Sequence, residues 1–427
     1  MFDRFSNRSQ TKITDFICTR FLLAQLLMDS FRDKLTVGDL NSALQNLPQG
    51  SDAYDVAYRA AMERILSQGK GSSEMAKKML AWILCARRPL STLELLHALA
   101  VEPGDTEIDE DNILETEQLL TICAGLVRID EHSHTVGFIH FTMQEYLQRN
   151  RERWLPFANV EIARTCTAYL AIDDLAVGPC ASREDYYRRL KRLALLEYAA
   201  VYWGDHTKLV MEAEYTTGLD GIIHEAWALM LNTKRLSAAS QVLFMSKRRP
   251  YSKVTIEEQG KGFSGSHWIG LFGLLSLLER WITEKYELDQ CDFGGRTPLS
   301  FAAESGQEAI VKRLLDTGKV DADSKDNDRK TPLIVAAEHG HVAVVKALLS
   351  TGKVDADSKD NDRKTPLIVA AEHGHDAVVK ALLSTGKVTR IAVAGTGGLA
   401  VLIAHFIRSG TNHSVVLISR AVSHHEL

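Results

Sequence analysis

Apolar residues recur at helical spacing along most of this chain. Residues 12–32 and 52–68 carry that period. In "SSEMAKKMLAWILCARRPLSTLELLHALAVEPGD", from Ser72, residues Met75, Met79, Leu80, Ile83 and Leu84 fall on one helical face. Ser72 or Ser73 is placed to cap that helix, and Pro89 to stop it. Ser91 opens a second, shorter helix with Leu95, Leu96 and Leu99 on its apolar side. Past the acidic "DTEIDEDN", a third helix is expected near Glu115–Cys123. The period then shortens: "GLVRID", a turn at "EHSH" and "TVGFIHF" read as two strands. Residues 157–257 return to amphipathic helices. There Leu190, Leu193, Ala194, Glu197 and Tyr198 share helical spacing. Arg188, Arg189, Lys191 and Arg192 read as a solvated basic face, and Tyr198, Tyr202 and Trp203 as core.

Helix, helix, helix, wing is the order of a winged helix. The middle of the chain is set by something stronger. Residues 317–350, "TGKVDADSKDNDRKTPLIVAAEHGHVAVVKALLS", recur at 351–384 with one change, Val342 to Asp376, a period of 34. Such a period marks a solenoid. Thr331 is an N-cap and Pro332 the first helical residue, where its missing N–H costs nothing. Leu333, Ala336 and Ala337 make one apolar face, and Gly340 ends the helix. Val344, Val345, Leu348 and Leu349 form the stripe of a second helix, which Gly352 closes; the polar "DADSKDNDRK" is a turn-rich finger. The one varied slot, Val342 or Asp376, is expected to be exposed.

The phrase "TPLIVAAEHGHVAVVKALLSTG" resembles the ankyrin repeat. "GGRTPLSFAAESGQEAIVKRLLDTG", from Gly294, shares its frame, and "SHWIGLFGLLSLLERWI", from Ser266, is a weaker copy that keeps the ending glycine at Gly273 but loses the T-P-L start. That makes one degenerate and three good units over roughly 260–387. The resemblance implies a protein partner, read by the finger tips and the start of the first helix. Matched residue by residue, those positions are Asn327, Asp328, Arg329, Glu338 and His339, then Asn361, Asp362, Arg363, Glu372 and His373.

The N-terminal half resembles the segment downstream of the nucleotide-binding core in fungal NACHT-type signal-transduction ATPases, the winged helix of the inositol-deacylase-like group. The carrying phrases are "ARRPLSTLELLHALAVEPGD", "CAGLVRID", "FIHFTMQEYL" and "LLEYAAVYWGDH". In related ATPases a winged-helix histidine senses the bound diphosphate; by position that is His140. The chain holds no G-x-x-x-x-G-K-[ST] loop, so the cradle and lysine that hold the phosphates are missing. His140 is therefore expected to be structural. The recognition-helix segment, "ILETEQLLTICAG", holds two glutamates and no Lys or Arg, so nothing neutralises phosphate and nucleic acid is excluded as a partner.

Composition adds exclusions. A net charge of −5, with 45% apolar and 25% charged residues, gives no general pull toward polyanions. Six scattered cysteines without a C-x-x-C pair fit a reducing compartment and argue against a zinc site. The N-terminus lacks an apolar signal core, and "WIGLFGLLSLL" is too short to span a bilayer. A soluble, cytoplasmic protein with no membrane contact is the expectation.

The C-terminal "KVTRIAVAGTGGLAVLIAHFIRSGTNHSVVLISR" follows a different plan. A strand, Arg390–Ala394, leads into Gly395, Gly397 and Ala400 in G-x-G-x-x-A spacing, then a helix over 399–409 and the strand "SVVLISR". Gly395 permits the tight turn, Gly397 the approach of a pyrophosphate, and Arg420 suits the 2′-phosphate of NADP. The stretch resembles the start of fungal isoflavone-reductase-like NAD(P)-binding proteins. It covers only about forty residues, and one βαβ pair cannot bury both faces of a parallel sheet. The reading is a truncated fusion, a true chimaera or two neighbouring genes joined, with NADP bound only if another chain completes the sheet.

The sequence thus predicts a mainly α protein: a helical segment (1–70), a winged-helix domain (71–150), a helical linker domain (151–257), ankyrin repeats (258–387) and a truncated Rossmann-like unit (388–427). It predicts a non-enzymatic adaptor related to NACHT-type self/non-self or stress signalling, with no catalytic residues, no metal and no cofactor. The alternative is an NADP-dependent oxidoreductase fragment using Gly395, Gly397, Ala400 and Arg420.

Overall fold

The structure is a computed structural model that describes residues 36, 38, 53–213, 219–246, 256 and 259–384, with the backbone of strands at 390–394 and 414–418. The expected helix over 12–32 lies outside the described residues. Two compact units emerge: residues 1–169 with 192–195, and residues 170–191 with 196–427.

In the first unit, α1 (Ala53–Ser67) packs on α2 (Lys70–Cys85), burying Tyr58, Met62, Ile65, Met79 and Leu80 completely. Helix α2 starts before the expected caps: Gly69 is its N-cap and Ser73 is buried within it. It stops at Ala86, whose backbone is extended, ahead of Pro89. Ser91 caps α3 (Thr92–Ala100) as expected. Its hydroxyl accepts from Glu94 N, and the Glu94 carboxylate accepts from Ser91 N at 2.8 Å. Arg88 grips the same carboxylate with two bonds, at 2.9 and 2.5 Å. Such a box stabilises a helix by about 1 kcal/mol. After α4 (Thr116–Ile122), the wing has three strands rather than two. A two-residue strand, β1 (Leu90–Ser91), pairs antiparallel with β3 (Thr135–Phe138), which also pairs with β2 (Val127–Ile129). Two residues are too few to show an alternation in sequence. The buried Leu90, opposite Val136, fixes the pairing. Helices α5 (Phe141–Arg149), α6 (Arg151–Trp154) and α7 (Ala158–Leu170) complete this region.

The second unit begins with α8 (Arg183–Arg192) and α9 (Leu196–Glu212). These are separate helices. The single apolar face expected across Leu190–Tyr198 is broken at Leu193–Leu195. The basic cluster divides too. Arg188 lies outside, paired with Glu184 and Asp185, whereas Arg189 is buried and donates to the Gly178 carbonyl at 2.9 Å. Tyr198 and Trp203 are core, fully buried. Helices α10 (Leu219–Leu231) and α11 (Thr233–Ser246) follow, and the buried Gln241 of α11 holds both N and O of Cys180 at 2.8 Å.

Four helix pairs then stack as a solenoid: α12/α13 (Gly265–Phe272, Leu275–Thr283), α14/α15 (Pro298–Glu304, Glu308–Asp316), α16/α17 (Pro332–Glu338, Val342–Ser350) and α18/α19 (Pro366–Glu372, Asp376–Leu383). Thr297, Thr331 and Thr365 cap the first helix of their pairs, each with proline next. The degenerate first unit keeps a cap by other means. Ser264 is its N-cap, and His267 closes a capping box by accepting from Ser264 N at 3.1 Å. The array does not begin on solvent, because α9 and α11 pack together and α9 packs on α12. Trp203 meets Trp268 edge-on with ring centroids 5.1 Å apart, and Trp268 donates to Ser240 on α11 at 2.8 Å. Gly204 lets α9 come this close: a Cβ there would stand 2.0 Å from the Phe272 ring.

At the far end, β4 (Arg390–Ala394) and β5 (Ser414–Ile418) pair in parallel, Arg390 opposite Ser414 through Ala394 opposite Ile418. Parallel neighbours require a crossover, and the residues that would form it lie outside those described.

Candidate interaction surface

The fingers are built from one aspartate each. Asp292, Asp326 and Asp360 turn a carboxylate oxygen back to accept backbone N–H groups, from Gly294 and Arg296 (both 2.8 Å), from Asp328 and Lys330 (2.9 and 2.7 Å), and from Lys364 (2.8 Å). The turn then needs a residue in the left-handed region. The first of these fingers uses Gly295, at φ +74°; the next two use Arg329 and Arg363, at +60° and +61°. For a side-chain-bearing residue that conformation costs about 1–2 kcal/mol. Successive fingers are laced by asparagine. Asn327 donates from its backbone to Gly294 O and from its carboxamide to Phe293 O; Asn361 repeats this on Asp328 O and Asn327 O.

The ten expected binding residues therefore divide. Asn327 and Asn361 are exposed but their amides hold the finger ladder. Glu338 and Glu372 are bound by Lys330 and Lys364 at 2.6 and 2.7 Å. Burial raises the Glu338 carboxyl, but the Lys330 hydrogen bond and charge, with His339 and His373, outweigh it and hold the group below its usual range. The Glu372 bond in turn raises Lys364. His339 and His373 donate from Nδ1 to Val335 O and Val369 O, both at 3.0 Å, and each stacks on the histidine two residues on. What the fingers leave exposed are the side chains of two dipeptides, Asp328-Arg329 and Asp362-Arg363, one repeat apart, whose backbones alone are bonded into the scaffold. The varied slot holds Asp376 exposed, as expected, and Val342 half-buried.

Sequence reasoning passed over the second histidine. His341 donates from Nε2 to Glu304 O and His375 to Glu338 O, both at 2.9 Å, each stapling its repeat to the one before. Gly340 makes room for this. It sits at φ +77°, and a Cβ there would meet His375 at 2.7 Å. The signal was the second His of each "EHGH", the more constrained of the two.

Repeat two departs from this scheme. Arg296 stands where Lys330 and Lys364 do, reaches Asp292 at 3.1 Å and Glu304 at 3.3 Å, and lies 3.9 Å over the Phe301 ring. Its backbone carbonyl accepts from Nε2 of the fully buried His267. Burial pushes His267 down to about 4. Burial also pushes Asp292 up to about 7, against its two backbone donors.

The other candidates are placed as follows. His140 is the N-cap of α5. Its Nδ1 accepts from Thr142 N at 3.3 Å and contacts Thr142 Oγ1 at 2.9 Å, and that oxygen lies 2.7 Å from Tyr58 OH. The exposed face of α4 presents Thr116, Glu117, Gln118 and Thr121, with Glu115 just before it, and no cation for a phosphate backbone. Gly395, Gly397, Ala400 and Arg420 lie outside the described residues. Among the described residues no His/Cys/Asp/Glu group could hold a metal ion, and no helix is long and apolar enough to cross a membrane.

Comparison with protein families agrees with both halves of this architecture. Residues 267–360 and 318–392 match the model of ankyrin repeats (3 copies), and residues 62–175 match that of the GPI inositol-deacylase winged helix domain. No curated protein matches the chain. The chain thus carries ankyrin repeats behind a winged helix of the inositol-deacylase type, and ankyrin repeats are in general protein-interaction modules.

Proposed function

We propose that this protein is a non-catalytic adaptor whose ankyrin repeats hold a protein partner through the finger-tip pairs Asp328-Arg329 and Asp362-Arg363. One observation carries this reading. Two arginines occupy a left-handed backbone position that the preceding finger gives to glycine. Nothing in the turn requires a side chain there, and both side chains are exposed. Strain held at an exposed position is a mark of function, and arginine is favoured at binding hot spots for its planar, multi-donor head. The neighbouring aspartates make the strip alternate in charge, which suits a partner segment of alternating charge more than a polyanion.

The winged helix and the repeats in one chain support a place in NACHT-type signalling, with the array sensing a partner. The test is affinity capture with the full chain and with Arg329→Glu/Arg363→Glu. The double reversal should lower the recovered partner by about ten-fold or more and leave the helical circular dichroism unchanged. Undiminished recovery would overturn the reading.

A further inference from the structure

A solenoid repeat has two stacking faces, and the last repeat needs something to cover the outer one. Here the first helices form a row, α12 against α14, α14 against α16, α16 against α18. No fifth ankyrin pair is present among the described residues, yet the row continues: β4 packs against α18. We propose that the C-terminal parallel β4–β5 unit is the end cap of the solenoid, with β4 taking on α18 the place that the next repeat's first helix would take.

Two further observations support this. Repeat four is not itself built as a cap. Residues 351–384 differ from 317–350 only at Asp376, so its outer face is the same surface that repeat three buries against repeat four. A dedicated terminal repeat would carry polar residues on that face; this one retains Leu367, Ile368, Val369, Leu382 and Leu383. The cover is also uneven, as a strand replacing a helix pair would make it. Val369 and Leu367 are 3% and 0% exposed, matching Val335 and Leu333 at 8% and 0%. Ile368 is only half-buried where Ile334 is fully buried, and Glu372, His373 and Gly374 are exposed where Glu338, His339 and Gly340 are half-covered. The notch that His375 fills at Gly340 is open at Gly374, where a Cβ would meet nothing within 4 Å. The cap seals the middle of α18 and leaves its C-terminal edge to solvent.

The experiment uses the full chain with Val393→Pro, which removes a strand N–H and disrupts the β4–β5 pairing, beside a chain lacking residues 388–427. Amide hydrogen exchange is read in two identical heptapeptides, Pro332–Glu338 and Pro366–Glu372. Both changes should speed exchange in 366–372 by about ten-fold or more and in 332–338 by less than about two-fold. Equal exchange in 366–372 with and without 388–427 would overturn the proposal, as would equal acceleration of both heptapeptides.

Discussion

The two ends of the repeat array are held by different kinds of chemistry. At the start, α9 and α11 meet the first repeat through large side chains used once: Trp203 on Trp268 and Phe272, and Phe244 on Phe263. From repeat two onward, each junction reuses one set of small parts, a histidine to a carbonyl, an asparagine to a finger, and a glycine that lets the histidine in. A junction of unique bulky parts can be lost to one substitution. A junction of repeated hydrogen bonds loses only one increment at a time.

The largest effect is therefore expected at the start. Trp268 is fully buried, and its indole N–H is bonded to Ser240. Trp268→Ala should cost about 4 kcal/mol, read as a fall in the denaturant midpoint of the whole second unit. A loss as small as that from removing one histidine staple, about 1 kcal/mol, would show that the two ends are not held differently.

A pH titration sharpens the contrast. His267 is fully buried, accepts a backbone N–H on Nδ1 and donates from Nε2, and burial disfavours its charged form. Its folded pKa is depressed to about 4 from an ordinary 6.5. As pH falls below about 6.5 the unfolded chain takes up a proton that the folded chain refuses. Stability therefore falls between about pH 6.5 and 4, by up to about 3 kcal/mol. Asp292 works in the opposite sense. Its folded carboxyl keeps a proton up to about 7, so its contribution weakens as pH rises from about 4 to 7. The difference between wild type and His267→Asn isolates the histidine, since asparagine keeps an acceptor for Ser264 N–H. A difference that does not change across this range would contradict the assignment.

Within the repeated part, one pair of glycines separates strain from contact. Gly340 and Gly374 share a left-handed backbone, φ +77° and +74°, but only Gly340 has His375 against it. Gly374→Ala should cost about 1 kcal/mol, the backbone term alone. Gly340→Ala should cost about 2 kcal/mol, because the histidine staple to Glu338 must also shift. Equal costs would remove His375 from the account.

These differences also explain what the sequence showed. The repeats were legible because each cap, stripe and stop recurs locally: Thr331 with Pro332, Val344 with Leu348, then Gly340. The winged helix was legible from its change of period, apart from the two-residue β1. The candidate surface was half legible. Position alone picked out the fingers, but not that Asn327, Asn361, Glu338 and Glu372 are bound within the scaffold, nor that His341 is the staple. The first junction was not legible, since Trp203 and Trp268 stand 65 residues apart and no period links them. Ser264 and His267 carried a faint signal, a serine followed three residues later by a side chain able to reach back.

The smallest effect concerns the finger tips, and its sign matters more than its size. Arg329 and Arg363 hold φ near +60° in a turn that Gly295 makes at +74°. Replacing either arginine with glycine removes a backbone strain of about 1–2 kcal/mol but returns conformational freedom to the unfolded chain, a penalty of about 0.5–1 kcal/mol. The sum favours the variant by roughly half a kcal/mol per site. The turn itself should persist, because Arg329 N still donates to Asp326 O through the backbone and the aspartate carboxylate still takes Lys330 N. Arg329→Gly/Arg363→Gly should therefore melt slightly higher than wild type while holding the partner less well. A double variant that loses stability would show that the arginine side chains support the fold, and the strain could no longer be read as retained for binding. A variant that gains stability and keeps full partner recovery would leave the finger ladder intact as structure and remove the arginines from the interface.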